Sequence, residues 1–238
     1  MRFDGKRVFV TGAASGIGAA TADLFQKEGA QVVATDVVER DDIVRCDVSD
    51  PASVQAAMAT AIDRLGGLDV CVNVAGVDAM SAFEDLTLDL IRKHLDVNYV
   101  GAALVTQAAL PHLKESRGNI VTVASISGLQ GQPYNSAYCA SKGALLLFMR
   151  SIAVELAAFG VRVNCVCPGG VETPLNQGAT ALLPPDANFD LFARMTGVLD
   201  GGAFMPASDI ADAIAYFASD AAKSVTGAAL VVDRGTLW

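Results

Sequence analysis

Basic residues are scarce in this chain of 238 residues: Lys and Arg number 17 against 26 Asp and Glu, for a net charge of -9. Nucleic acid is bound through a basic footprint and an anionic membrane through a polybasic patch. Neither partner is expected. Histidine is scarcer still, with His94 and His112 alone. The five cysteines (Cys46, Cys71, Cys139, Cys165, Cys167) are odd in number and lack C-x-x-C spacing. No disulfide framework or metal site is expected from them; reduced, buried thiols in a cytoplasmic protein are. Mean hydropathy is high at +0.40, yet charge or glycine interrupts the apolar stretches before the ~20 residues of a spanning helix. No apolar h-region follows the charged N-terminus, so no secretory signal is expected. What is abundant is core material, with 52% hydrophobic and 18% charged residues. That composition excludes disorder.

Short β-branched runs alternate with helical periodicity along the whole chain. Arg7 to Val10 reads as a strand, followed by a glycine turn and a helix with Ile17, Ala20, Thr21, Leu24 and Phe25 on one face. Gly29 stops that helix, and Gln31 to Thr35 is a second strand closed by Asp36. Strand, helix, strand is a βαβ unit, so the sheet is parallel and the crossover right-handed. Further strands are expected at 42–46, 68–74, 119–124, 161–166 and 228–232. Helices are expected at 53–65, 136–159 and 210–218, with a long helix or broken pair at 88–113. The connection from Asp36 to Ile43 leaves little room for a helix. The reading is one α/β domain over 1–238, a doubly wound, Rossmann-like parallel sheet with helices on both faces. Its one long loop, 174–206, is expected to cover the substrate.

Gly12, Gly16 and Gly18 sit between the first strand and its helix, with Ser15 and Ile17 among them. A phosphate approaches backbone N–H groups there, and the helix N-terminus adds donors and partial positive charge. Asp36 ends the next strand, where a carboxylate accepts from adenosine ribose hydroxyls and repels a 2′-phosphate. NAD is therefore expected over NADP. Tyr138 and Lys142 lie four apart on one helix face, where an ammonium favours the phenolate and suits the pair to general base work. Ser125 follows a strand at the carboxyl edge, where open α/β sheets bind ligands.

Together these positions resemble the short-chain dehydrogenase/reductase family, over about residues 5–235. Thr11-Gly12-x-x-x-Gly16-Ile17-Gly18 matches its cofactor turn, and Asn73-Val74-Ala75-Gly76 its N-N-A-G segment. Ser125 precedes Tyr138-x-x-x-Lys142 by the family's interval, and Asn98 falls at its catalytic asparagine. The resemblance implies that Tyr138 exchanges the alcohol proton and Ser125 holds the substrate oxygen. It implies that Lys142 binds the nicotinamide ribose and that Asn98 holds a relay water. Asp47 and Val48 would contact the adenine, Asn73, Ala75 and Gly76 the cofactor, and Pro168, Gly169, Val171 and Thr173 the nicotinamide side. Val74 stands where relatives have Asn, and Arg234 where they usually have Gly.

The function expected is NAD-dependent interconversion of a neutral, largely apolar secondary alcohol and its ketone. The 174–206 loop is rich in Leu, Phe and Met and has one cation, Arg194, which disfavours a carboxylate substrate. A hydroxy-acid dehydrogenase is the alternative, and a non-catalytic dinucleotide sensor a more distant one. The 136–159 helix is apolar over much of its circumference, and relatives pair this helix within tetramers. A homotetramer is accordingly expected.

Overall fold

A computed structural model describes residues 1–237, except for the side chain of Arg194. Seven strands form one parallel sheet in the order β3-β2-β1-β4-β5-β6-β7. They are β1 (Arg7–Thr11), β2 (Gln31–Asp36), β3 (Ile43–Arg45), β4 (Val70–Asn73), β5 (Asn119–Val123), β6 (Arg162–Pro168) and β7 (Ala229–Val232). Strands β4 and β5 are buried at every residue, as expected of strands covered on both faces. On one face lie α1 (Gly16–Lys27) and α7 (Ala207–Ala218), which bring Phe25, Ile210, Ile214 and Phe217 together over β1 and β4. The other face carries α2 (Pro51–Leu65), α4 (Ala102–Ser116) and α5 (Ser136–Ala157), around Met58, Val105, Leu113, Leu145 and Met149.

The connection between β2 and β3 has no helix. It can be short because Ile43 pairs with Ala34, so β3 starts only two residues back from the end of β2. Asp50 caps α2 by accepting from the N–H of Ala52, with Pro51 in the first turn. The stretch expected as one long helix or a broken pair is a continuous helical run that changes type within it. Thr87 caps α3 (Leu88–Leu95), and a π-helical segment, Asp96–Gly101, joins it to α4 without a break. Within 174–206 the chain is not wholly irregular: a short α6 (Pro174–Gly178) precedes several 3₁₀ turns.

Contrary to the expectation of interruption, α5 is long and apolar enough to cross a membrane, with a mean hydropathy of 1.3 over its best stretch. Here it is a sheet-covering helix that buries Tyr138, Ser141 and Lys142. Its outer side keeps Leu147 and Val154 exposed.

Candidate active site

The order of strands reverses between β1 and β4, and their carboxyl ends splay the following loops apart. A cleft of about 590 Å³ opens there, lined from the glycine turn, Asp36, and the loops after β4, β5, β6 and β7. Gly12 adopts φ +68°, and a Cβ on it would come within 2.8 Å of the Ala75 backbone. A Cβ on Gly18 would fall on the carbonyl of Gly12. These two glycines therefore serve first to pack the turn against β4 and against itself. Ser15 has the extended backbone of an N-cap but makes no side-chain capping bond. Its hydroxyl and the first N–H groups of α1 remain as donors at the cleft, which fits a pyrophosphate. Asp36 ties this turn to β2: its Oδ2 accepts from Ala14 N at 3.0 Å and its Oδ1 from Val38 N at 3.1 Å.

Tyr138 and Lys142 face the cleft from α5, with Nζ 5.7 Å from the phenol ring centre and donating to the Val123 carbonyl at 3.0 Å. Burial lowers the Lys142 pKa to about 8, against the opposing charge of Asp78. Burial also pushes the Tyr138 phenol well up, with Asp78 adding to the rise and the Ser125 hydroxyl opposing it. Ser125 lines the cleft, its Oγ accepting from Ser127 N at 3.1 Å. Asn98 lies in the π-helical segment, one layer behind. Its Oδ1 accepts from Val77 N at 2.8 Å, and its Nδ2 donates to Val77 O and Ser141 Oγ. It thus pins the loop after β4 to α5, with Gly76 lying between it and Lys142.

Of the other expected cofactor residues, Ile17, Ala75, Gly76, Pro168, Gly169, Val171 and Thr173 line the cleft. Three do not. Asn73 points into the core, where its Nδ2 donates to Thr106 and Thr122; it ties β4 to α4 and β5. Asp47 accepts from Ser49, and Val48 is buried against Gly101, both outside the cleft lining. Val74 costs the turn no anchor, because Thr11 Oγ1 accepts from the N–H groups of both Val74 and Ala75.

The 174–206 segment contributes Leu175, Phe189, Phe192, Met195, Phe204 and Met205 to the lining. Leu182, Leu191, Val198 and Leu199 of the same segment are exposed and lie outside the lining. The side chain of Arg194 lies outside the described residues. Phe192 stacks on Tyr134 at 6.0 Å, and the Tyr134 hydroxyl accepts from Asn188 N. Arg234, at φ +54°, accepts through its carbonyl from Val198 N and Leu199 N. Its guanidinium meets Asp200, Asp209 and the Ala203 carbonyl. The residue that departs from the family pattern thus clamps the loop to the C-terminal turn.

One lining group escaped the sequence reading. Asp78 follows β4 by five residues, and its side chain is only 5% exposed. Its position two residues after Gly76, at the carboxyl edge, was the available signal.

The family model described as enoyl-(acyl carrier protein) reductase matches residues 12–236. A cis-4-hydroxycyclohexanecarboxylate dehydrogenase of Sinomonas cyclohexanicum is 41% identical, covering 95% of this chain and 94% of its own. A 2,5-dichloro-2,5-cyclohexadiene-1,4-diol dehydrogenase of Sphingobium indicum is 36% identical over 98% and 97%. Among solved structures, a short-chain dehydrogenase from Mycobacterium paratuberculosis bound to NAD superposes with a TM-score of 0.88 at 29% identity, over 99% of both chains. One from Burkholderia cenocepacia in complex with NADP gives 0.86 at 30%, again over 99% of both. The chain belongs to the short-chain dehydrogenase/reductase family. It is an oxidoreductase of alcohols that works with a nicotinamide dinucleotide.

Proposed function

We propose that the protein uses NAD to interconvert a neutral secondary alcohol and its ketone, with Tyr138 as the general acid–base. The observation that carries this reading is the convergence of Tyr138, Lys142 and Ser125 on one cleft whose outer wall is apolar. When bound, the nicotinamide supplies the hydride acceptor or donor. Ser125 and Tyr138 hold the substrate oxygen between two hydroxyls. In oxidation Tyr138 accepts the alcohol proton at its phenolic oxygen; in reduction it returns it. Lys142 stabilises the phenolate through its charge, as a neighbouring ammonium does. The N-terminus of α1 and the Ser15 hydroxyl suit the pyrophosphate. Asp36 supports NAD: its carboxylate lines the cleft, and the glycine turn offers no cation to neutralise a 2′-phosphate.

A hydroxy-acid substrate is the second reading, favoured by the name of the Sinomonas relative. Against it, the described cation on the outer wall, Arg234, is already held by Asp200 and Asp209. The deciding experiment follows absorbance of the reduced cofactor with NAD and NADP across secondary alcohols, polyols and hydroxy acids. The proposal predicts turnover of neutral alcohols with NAD. A kcat/KM for hydroxy acids far above that for every neutral alcohol would replace it with the second reading. Tight dinucleotide binding with no turnover would replace it with a sensor.

We also propose a homotetramer, supported by the exposed Leu147 and Val154 on the outer side of α5. The five free cysteines suit a reducing, cytoplasmic setting.

A further inference from the structure

Asp78 is a buried carboxylate with one of its two oxygens left without a hydrogen-bond donor. Its Oδ2 accepts from Asn135 Nδ2 at 3.2 Å, and that amide also donates to the Gln132 oxygen, which takes the Ser127 hydroxyl as well. This network fixes the carboxylate in place. Its Oδ1 is buried and has no partner among the described residues.

Two neighbouring donors, the Ala79 N–H and His94, do not serve it, because they pair with each other. His94 Nε2 lies 3.9 Å from Oδ1 but accepts the N–H of Ala79 at 3.1 Å. The ring therefore carries its proton on Nδ1, facing the Leu90 carbonyl at 2.8 Å. A buried oxygen without a donor is costly unless water, an ion or a ligand supplies one, and of the four such side-chain oxygens among the described residues only that of Asp78 belongs to a residue lining the cleft. Asp78 lines the same cleft as Tyr138, Ser125 and Lys142.

We propose that Asp78 is a substrate-binding residue that accepts a hydrogen bond from a second hydroxyl, so that the substrate class is a neutral diol or polyol. This rests on the reading of the cleft as an alcohol dehydrogenase and deepens it. Charge decides among the possible donors. The charge of Lys142 already opposes that of Asp78 at a distance within the cleft, and an oxidised nicotinamide brings another positive charge, so an ammonium on the substrate would add a third. A substrate carboxylate would meet Asp78 as a like charge. A hydroxyl supplies the missing donor without changing the balance.

The test compares kcat/KM for cyclohexanol with that for 1,2-, 1,3- and 1,4-cyclohexanediols in the wild type, Asp78→Asn and Asp78→Ala. Amino-cyclohexanol and 4-hydroxycyclohexanecarboxylate complete the panel. At least one diol is expected to exceed cyclohexanol by about 10–100-fold in the wild type, the range of a hydrogen bond to a charged group. The ratio should fall towards one in Asp78→Ala and part of the way in Asp78→Asn, whose amide oxygen still accepts a neutral hydrogen bond. The proposal is overturned if no diol is preferred, if the ratio survives both substitutions, or if the amino alcohol or hydroxy acid is preferred. Turnover of none of these alcohols would instead remove the alcohol-dehydrogenase reading beneath it. Calorimetric titration with the dinucleotide shows whether each variant folds; if one does not, the wild-type ratio alone decides.

Discussion

Replacing Lys142 by Met separates what the buried ammonium does for catalysis from what it does to the fold. Lys142 is 4% exposed, so solvent screens its charge little. Burial lowers its pKa from 10.5 to about 8. Between those values the folded protein holds fewer protons than the unfolded chain, so stability rises with pH across that window. Below about pH 8 the fold bears the full cost of charging the amine, about 3 kcal/mol at ~1.4 kcal/mol per pH unit. Met fills a similar volume without a charge. It also leaves the Val123 carbonyl without its donor, which costs about 1–2 kcal/mol. The net gain at pH 7 is then about 1–2 kcal/mol, or about 2–8 °C in Tm for a chain of this size. Scanning calorimetry of the ligand-free protein should show Lys142→Met melting higher than wild type at pH 7, with the difference gone by pH 9.5. Turnover should be lost at both values. A variant that melts lower at pH 7, or a difference indifferent to pH, would refute the reasoning.

Tyr138→Phe should lower kcat by at least ~10²–10⁴-fold while calorimetry still finds dinucleotide binding, because only the ionisable hydroxyl is removed. Asp36→Ala should narrow the preference for NAD over NADP in paired kcat/KM measurements. It should also cost about 1 kcal/mol in denaturant unfolding, since Ala14 N and Val38 N lose their acceptor. Leu147→Glu should convert a larger assembly into smaller species by light scattering. A wild-type monomer at micromolar concentration would remove that proposal.

The sheet was legible because its strands are short β-branched runs between glycine, aspartate and proline signals. Helix α5 and the Tyr138–Lys142 spacing were legible because four residues of helix return to one face. The missing helix between β2 and β3 could be read from chain length alone. Other features were beyond a linear reading. A strand buried on both faces does not announce which residues reach the cleft, and Asn73 turned out to face α4 instead. The π-helical segment depends on a hydrogen-bond shift that residue propensities do not encode. Asp78 became visible only when the loop after β4 met Asn135 and His94. The role of Arg234 required the 174–206 loop to fold back onto the C-terminal turn.

The segment Asp96–Gly101 has a consequence for how this protein can vary. A π turn holds more residues than an α turn, so it changes the angular phase between α3 and α4. Each residue of an α-helix advances the chain by about 100° around the axis. Removing one residue from this segment would either close it to a plain α turn, which shifts the residues within it, or turn α4 by roughly that angle, swinging Val105, Ala109 and Leu113 out of the core they now fill. Asn98 would lose its aim at Val77 in the same step. Substitutions at exposed positions nearby are small local changes, whereas a single deletion is a frame error written into the packing. The number of residues in this turn is therefore as constrained as their identity.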